Sequence, residues 1–172
     1  MGIFTKLFKN KKEEVVYGAA RNSDFNITPN FKYSEFVSSP TATKYGIQNI
    51  PNDEELNNIV KLCKTVLQPI RDKYGKSIKV NSGFRGRQLN AKVGGAANSD
   101  HLFGAAADIK AGDGNNRRLF DLILKMIQNK EIQCRQLIWE YGTKVQPQWI
   151  HIAINHSKNK TKNNQVVYLY NK

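Results

Sequence analysis

The sequence predicts an α+β domain, a mostly antiparallel sheet flanked by helices. Three observations point there. Two segments carry apolar residues at steps of three and four. Several short segments alternate apolar and polar residues. The length, 172 residues with 40% hydrophobic side chains, suits one compact domain with a short appendage.

Residues 1–14 stand apart. Phe4, Leu7 and Phe8 fall at helical spacing among Lys6, Lys9, Lys11 and Lys12. Two readings are open: a basic amphipathic helix that touches a membrane or a virion partner, or a frayed basic terminus. Residues 15–30, with Gly18, Asn22, Ser23, Asp24 and Pro29, read as loop. The division is therefore a basic N-terminal segment, 1–30, and a domain, 31–172. Tyr33 to Ser38 reads as one helical turn, and 39–52 as loop around Pro40, Gly46 and Pro51.

Residues 53–74 form the strongest helix pattern, through Leu56, Ile59, Val60, Cys63, Val66, Leu67, Ile70 and Tyr74. Asn52 or Asp53 caps its start and Gly75 suits its exit. Pro69 is expected to bend it late. A strand follows at Ile78–Ser82, and a short helix at 86–93. Ala105–Ala111 reads as a strand and 116–129 as a second amphipathic helix. Gln136–Glu140, Trp149–Ile154 and Val166–Tyr170 complete the strands. Residues 155–164 read as a polar basic loop in which His156 is solvated.

The charge is lopsided. Lys and Arg total 27 against 14 Asp and Glu, a formal +13. Such a balance favours polyanions, among them nucleic acid, anionic lipid and a bacterial wall, or serves solubility alone. No helix-turn-helix, zinc-finger spacing or glycine-rich phosphate loop is present, so no specific nucleic-acid partner is predicted. No apolar run approaches the roughly 18 residues that cross a membrane. Cys63 and Cys134 read as reduced and structural. No secretory signal is legible in residues 1–12, so the expectation is synthesis in a host cytoplasm without a signal peptide.

The chain has three histidines. His101 falls in a loop, Asp108 in the strand after it, and His151 on the strand 149–154. Pleat parity groups them. Ile150, Ile152 and Ile154 form one face of their strand, so His151 points away from the core. Asp108 likewise leaves the face of Ala107 and Ile109. If 141–148 closes a hairpin, Glu140 shares the His151 face. Two imidazoles and a carboxylate suit Zn²⁺ with a fourth position for water, and a nearby carboxylate that is not a ligand can take that water's proton.

The run Ser99-x-His101-x-x-Gly104-x-Ala106-x-Asp108 resembles the Ser-x-His-x-x-Gly-x-Ala-x-Asp motif of the zinc D-Ala-D-Ala carboxypeptidase family. That family includes VanY-like enzymes and phage peptidoglycan endopeptidases. Trp149-Ile150-His151 resembles its Trp-x-His segment, and Ser82-Gly83-Phe84-Arg85 its Ser-Gly-Tyr-Arg segment. The resemblance implies a hedgehog-related fold, with His101, Asp108 and His151 as Zn²⁺ ligands. It implies Arg85, with Arg87 as the fallback, as the group that stabilises the oxyanion. Many members carry the catalytic carboxylate two or three residues before the last histidine, where this chain has Trp149 and Gln148. Glu140 is the expected substitute. Ser99 is expected to orient a ligand and Gly104 to let loop and strand pack closely, while Trp149 either lines the groove or packs.

The implied activity is a zinc metallopeptidase that hydrolyses peptidoglycan stem peptides, a D,D-carboxypeptidase or an L-Ala-D-Glu-type endopeptidase. The implied setting is a phage lysis or infection enzyme acting at the bacterial wall, carried in the virion or released at lysis. The alternative is an inactive zinc-binding module of a virion.

Overall fold

The computed structural model describes residues 24–159 and 163–171. Residues 1–14 and their two readings lie outside the described residues.

The chain opens with a small hairpin, β1 (Asn26–Thr28) and β2 (Phe31–Lys32), so part of the segment read as loop is strand. Helix α1 spans Tyr33–Val37. Helix α2, Pro40–Tyr45, lies where a loop was expected. It buries only Ala42, too little for apolar periodicity to register. Its end signals are nevertheless in the sequence. Ser39 Oγ accepts the Ala42 N–H, Pro40 opens the first turn, and Gly46 closes it at φ 61°.

The long helix forms in three parts. Helix α3 is Asp53–Leu62, a π-helical turn covers Cys63–Leu67, and α4 runs Gln68–Tyr74. Asn52 and Glu55 form a reciprocal capping box at the start. Pro69 lacks an N–H and its ring crowds the preceding turn. The widened turn, closed by Gln68 N–H to Cys63 O, sits directly ahead of it.

Strand β3 is Ile78–Ser82, followed by helix α5, Arg87–Lys92, and a 3₁₀ turn at Asp100–Phe103. Then come β4 (Ala106–Ala111), α6 (Asn116–Gln128), β5 (Gln136–Glu140), β6 (Trp149–Ala153) and β7 (Gln165–Leu169). The sheet order is β3-β4-β6-β5-β7, antiparallel throughout except for β5 against β7.

One sheet face carries Ala107, Ile109, Leu137, Trp139, Ile150 and Ile152, all buried with the apolar stripes of α3, α4 and α6. The isoleucine face is thus the core face, and the opposite face is left for Asp108, His151 and Glu140. Cys63 and Cys134 are free and buried, and burial raises both thiols, Cys134 to about 11. No described helix is long and apolar enough to cross a membrane.

Candidate active site

The site forms where two central strands meet a turn. Asp108 on β4 pairs directly with His151 on β6, and both point away from the isoleucine face. His101 comes from the 3₁₀ turn before β4. Ser99 Oγ accepts the His101 N–H at 3.4 Å and caps that turn. Gly104 ends it at φ 64°, where a Cβ would lie 2.3 Å from the Glu55 carbonyl oxygen. Only glycine fits, in both backbone angle and space. The close packing it allows is against α3, not against a strand as expected. Asn58 Nδ2 adds a hydrogen bond to Phe103 O at 2.9 Å across the same contact.

The donor atoms converge. His101 Nδ1 lies 2.6 Å from Gly83 O, which can only accept, so Nδ1 carries the proton and Nε2 offers a lone pair. That Nε2 lies 3.2 Å from both Asp108 Oδ1 and His151 Nδ1, and His151 Nδ1 lies 2.9 Å from Asp108 Oδ1. One donor atom from each residue falls within 4.8 Å of the others, an arrangement that can hold a metal ion. The set, two imidazoles and one carboxylate, is one that zinc takes, and three protein ligands leave a position open to the groove. Burial raises the Asp108 carboxyl, but with the histidines protonated the charge of His101 and hydrogen bonds from both rings outweigh it and hold the group well below the usual carboxylate range.

Arg85 reaches the cluster from the loop after β3. Its Nη2 lies 2.5 Å from Asp108 Oδ2 and 3.3 Å from His101 Nε2, while Nε donates to Ser82 Oγ at 2.8 Å. The fallback Arg87 is exposed at the start of α5 and does not line the groove. On β5, Ile138 pairs with His151 and Glu140 with Trp149. The 141–148 connection therefore closes the expected hairpin, and Glu140 lies on the His151 face. Trp149 lines the groove, and its Nε1–H donates to Glu140 Oε2. Gln148 is exposed and outside the groove lining, with its backbone N–H on Glu140 O at 3.0 Å.

Arg85, His101, Asp108, Glu140, Trp149 and His151 line one groove of about 1040 Å³. A family model described as Peptidase M15 matches residues 29–153. The chain belongs to this family. A curated relative, the zinc D-Ala-D-Ala carboxypeptidase of Streptomyces albus G, is 49% identical over 57 residues. That stretch is 33% of this chain, and it spans 22% of the length of the relative.

The M15 domain holds a second cluster that sequence reasoning missed. Asp100, next to His101, is buried and accepts from Arg135 Nε at 3.0 Å and again from Arg135 Nη2. His156 Nε2 lies 3.0 Å from the other Asp100 oxygen. The expectation that His156 is solvated is therefore corrected. It is 5% exposed, and its ring stacks on Phe103 at 4.3 Å. The residues come from a turn, the position just before β5 and the loop after β6, so no local spacing announces them.

Proposed function

We propose that the protein is a zinc-dependent peptidase that hydrolyses a bond in peptidoglycan stem peptides, of the D,D-carboxypeptidase or L-Ala-D-Glu-type endopeptidase kind. The observation that carries this reading is one shared sheet face. Asp108, His151 and Glu140 project from it toward His101 and Arg85, inside a single groove of an M15 domain.

His101, Asp108 and His151 would hold the ion. Zinc in that place supplies Lewis acidity at the scissile carbonyl and lowers the pKa of a water toward neutrality. Glu140 takes the proton of the attacking water and returns it to the leaving amine. Arg85 aims an always-charged guanidinium at the carbonyl oxygen as negative charge develops there. Trp149 holds one Glu140 oxygen through its indole N–H, leaving the other to accept the proton. The reading of a bacteriophage lysis or infection enzyme rests on the +13 charge, which draws the protein to an anionic envelope. Wall binding that weakens with added salt is the expected outcome there.

The test is mass spectrometry of peptidoglycan digested by the purified protein, with zinc and with a chelator. Zinc-dependent fragments are expected, and their masses name the bond. A chain that binds one zinc yet leaves peptidoglycan intact would instead be an inactive zinc module.

A further inference from the structure

Three observations bear on what flanks the scissile bond. The first is where the metal-ligand triad sits. Asp108 and His151 lie on β4 and β6, adjacent interior strands of the order β3-β4-β6-β5-β7. The groove wall continues past them on both sides, through Asn81 and Ser82 on β3 and through Gln136 at the start of β5 and Tyr141 just after its end. The second is size. A volume of about 1040 Å³ reaches the upper end of the range for small-ligand sites. The loop that forms the far wall is tightly built. Tyr141 is held at φ 54°, a left-handed backbone unusual for a side chain of its size, and its ring lies tilted against Trp149 with centroids 5.0 Å apart.

The third observation is charge. The chain has 27 Lys and Arg, yet among the described residues only Arg85 and Arg135 bring a guanidinium or ammonium group to the groove. Each is already paired with an aspartate, Arg85 with Asp108 and Arg135 with Asp100. Three carboxylates, Asp100, Asp108 and Glu140, set against these two guanidiniums and a divalent ion, leave one net positive charge. The negative charge developing on the scissile carbonyl uses it. A substrate carboxylate one residue beyond the bond would enter the groove with no free cationic side chain to pair with it, and taking an unpaired carboxylate out of water is costly.

We infer that the groove takes peptide on both sides of the scissile bond and that the bond cut is internal, with no free carboxylate on the adjoining residue. This rests on the peptidase reading and narrows it to the endopeptidase branch.

The experiment uses the full zinc-loaded chain and three peptides built on the bond found in the peptidoglycan digest. One ends a single residue beyond the bond as the free acid. The second ends there as the carboxamide. The third continues for three more residues. The amide and the extended peptide are expected to show kcat/KM at least about tenfold above the acid. The full-length Glu140→Gln variant, titrated with the same peptides by calorimetry, is expected to rank them in the same order. Equal or better cleavage of the free acid, or a digest that releases only a terminal amino acid, overturns the inference and leaves the peptidase reading intact. Failure to cut any peptide or peptidoglycan overturns both.

Discussion

The indole N–H of Trp149 donates to the carboxylate of Glu140 across the β5–β6 pair in which the two residues face each other. That bond ties the candidate base to the strand that also carries His151. On the proposed reading, it holds a carboxylate distant in sequence from the last histidine on the sheet face of that histidine.

Glu140→Gln keeps the shape and removes the proton acceptor. Turnover is expected to fall by about 10²- to 10⁴-fold. Zinc content, read by elemental analysis, is expected to stay at one ion per chain. Trp149→Phe leaves the carboxylate without its donor and is expected to cost about 10- to 100-fold, the range of a hydrogen bond to a charged group. Unchanged turnover in Glu140→Gln would remove Glu140 from the mechanism.

Chelation tests the triad apart from catalysis. An ion bound only by the folded chain at a hundred times its Kd adds about 2.7 kcal/mol of stability. The wild-type Tm is expected to drop on chelation and to return with zinc. Asp108→Asn removes the anionic donor, and its Tm is expected to be insensitive to both treatments. A variant that responded to zinc like the wild type would show that the ion sits elsewhere.

Arg135→Met leaves Asp100 buried beside His156 without its guanidinium. The side chains of Arg135 and Asp100 are 9% and 3% exposed. Breaking a pair at that depth costs about 3–5 kcal/mol. Urea denaturation is the measurement. The double variant Arg135→Met/Asp100→Asn is expected to recover part of the loss, because no carboxylate is then left unpaired. A loss as small as that of a surface substitution would mean that the pair contributes nothing.

Acid sensitivity has a local source at the far end of the sheet. Asp113 is held down at about 2 by the hydrogen bond from Tyr74 O–H at 2.7 Å, helped by Lys76. Its unfolded value is near 3.8. A depressed carboxylate stabilises the fold above the unfolded value and loses that contribution as pH falls through the folded one. Wild type is therefore expected to lose stability between about pH 4 and pH 2 more steeply than Asp113→Asn. Thermal melts across that window decide it, and parallel slopes would acquit Asp113.

Much of the site was legible because β-strand parity is a local property. Alternation placed Asp108 and His151 off the isoleucine face, and Glu140 with them on condition that 141–148 closes a hairpin; the register Asp108–His151 and Ile138–His151 realises that grouping. The start at Asn52 or Asp53 and the exit at Gly75 were readable for the same reason, since each depends on residues within one turn, and the structure puts the cap at Asn52. Helix α2 escaped because an exposed helix with one buried alanine leaves no apolar period, although Ser39, Pro40 and Gly46 marked its ends.

The sequence by itself determined the α+β class, the order of the main elements, the face on which the candidate ligands lie and the motif that joins His101 to Asp108. Only the tertiary structure decided that Gly104 packs against Glu55, that Arg85 rather than Arg87 reaches the ligands, and that His156 is buried on Asp100. Spacing and periodicity describe neighbours along the chain. Arg135 and His156 meet Asp100 from 35 and 56 residues away. Contacts of that range exist only once the sheet has paired and its loops have closed over it.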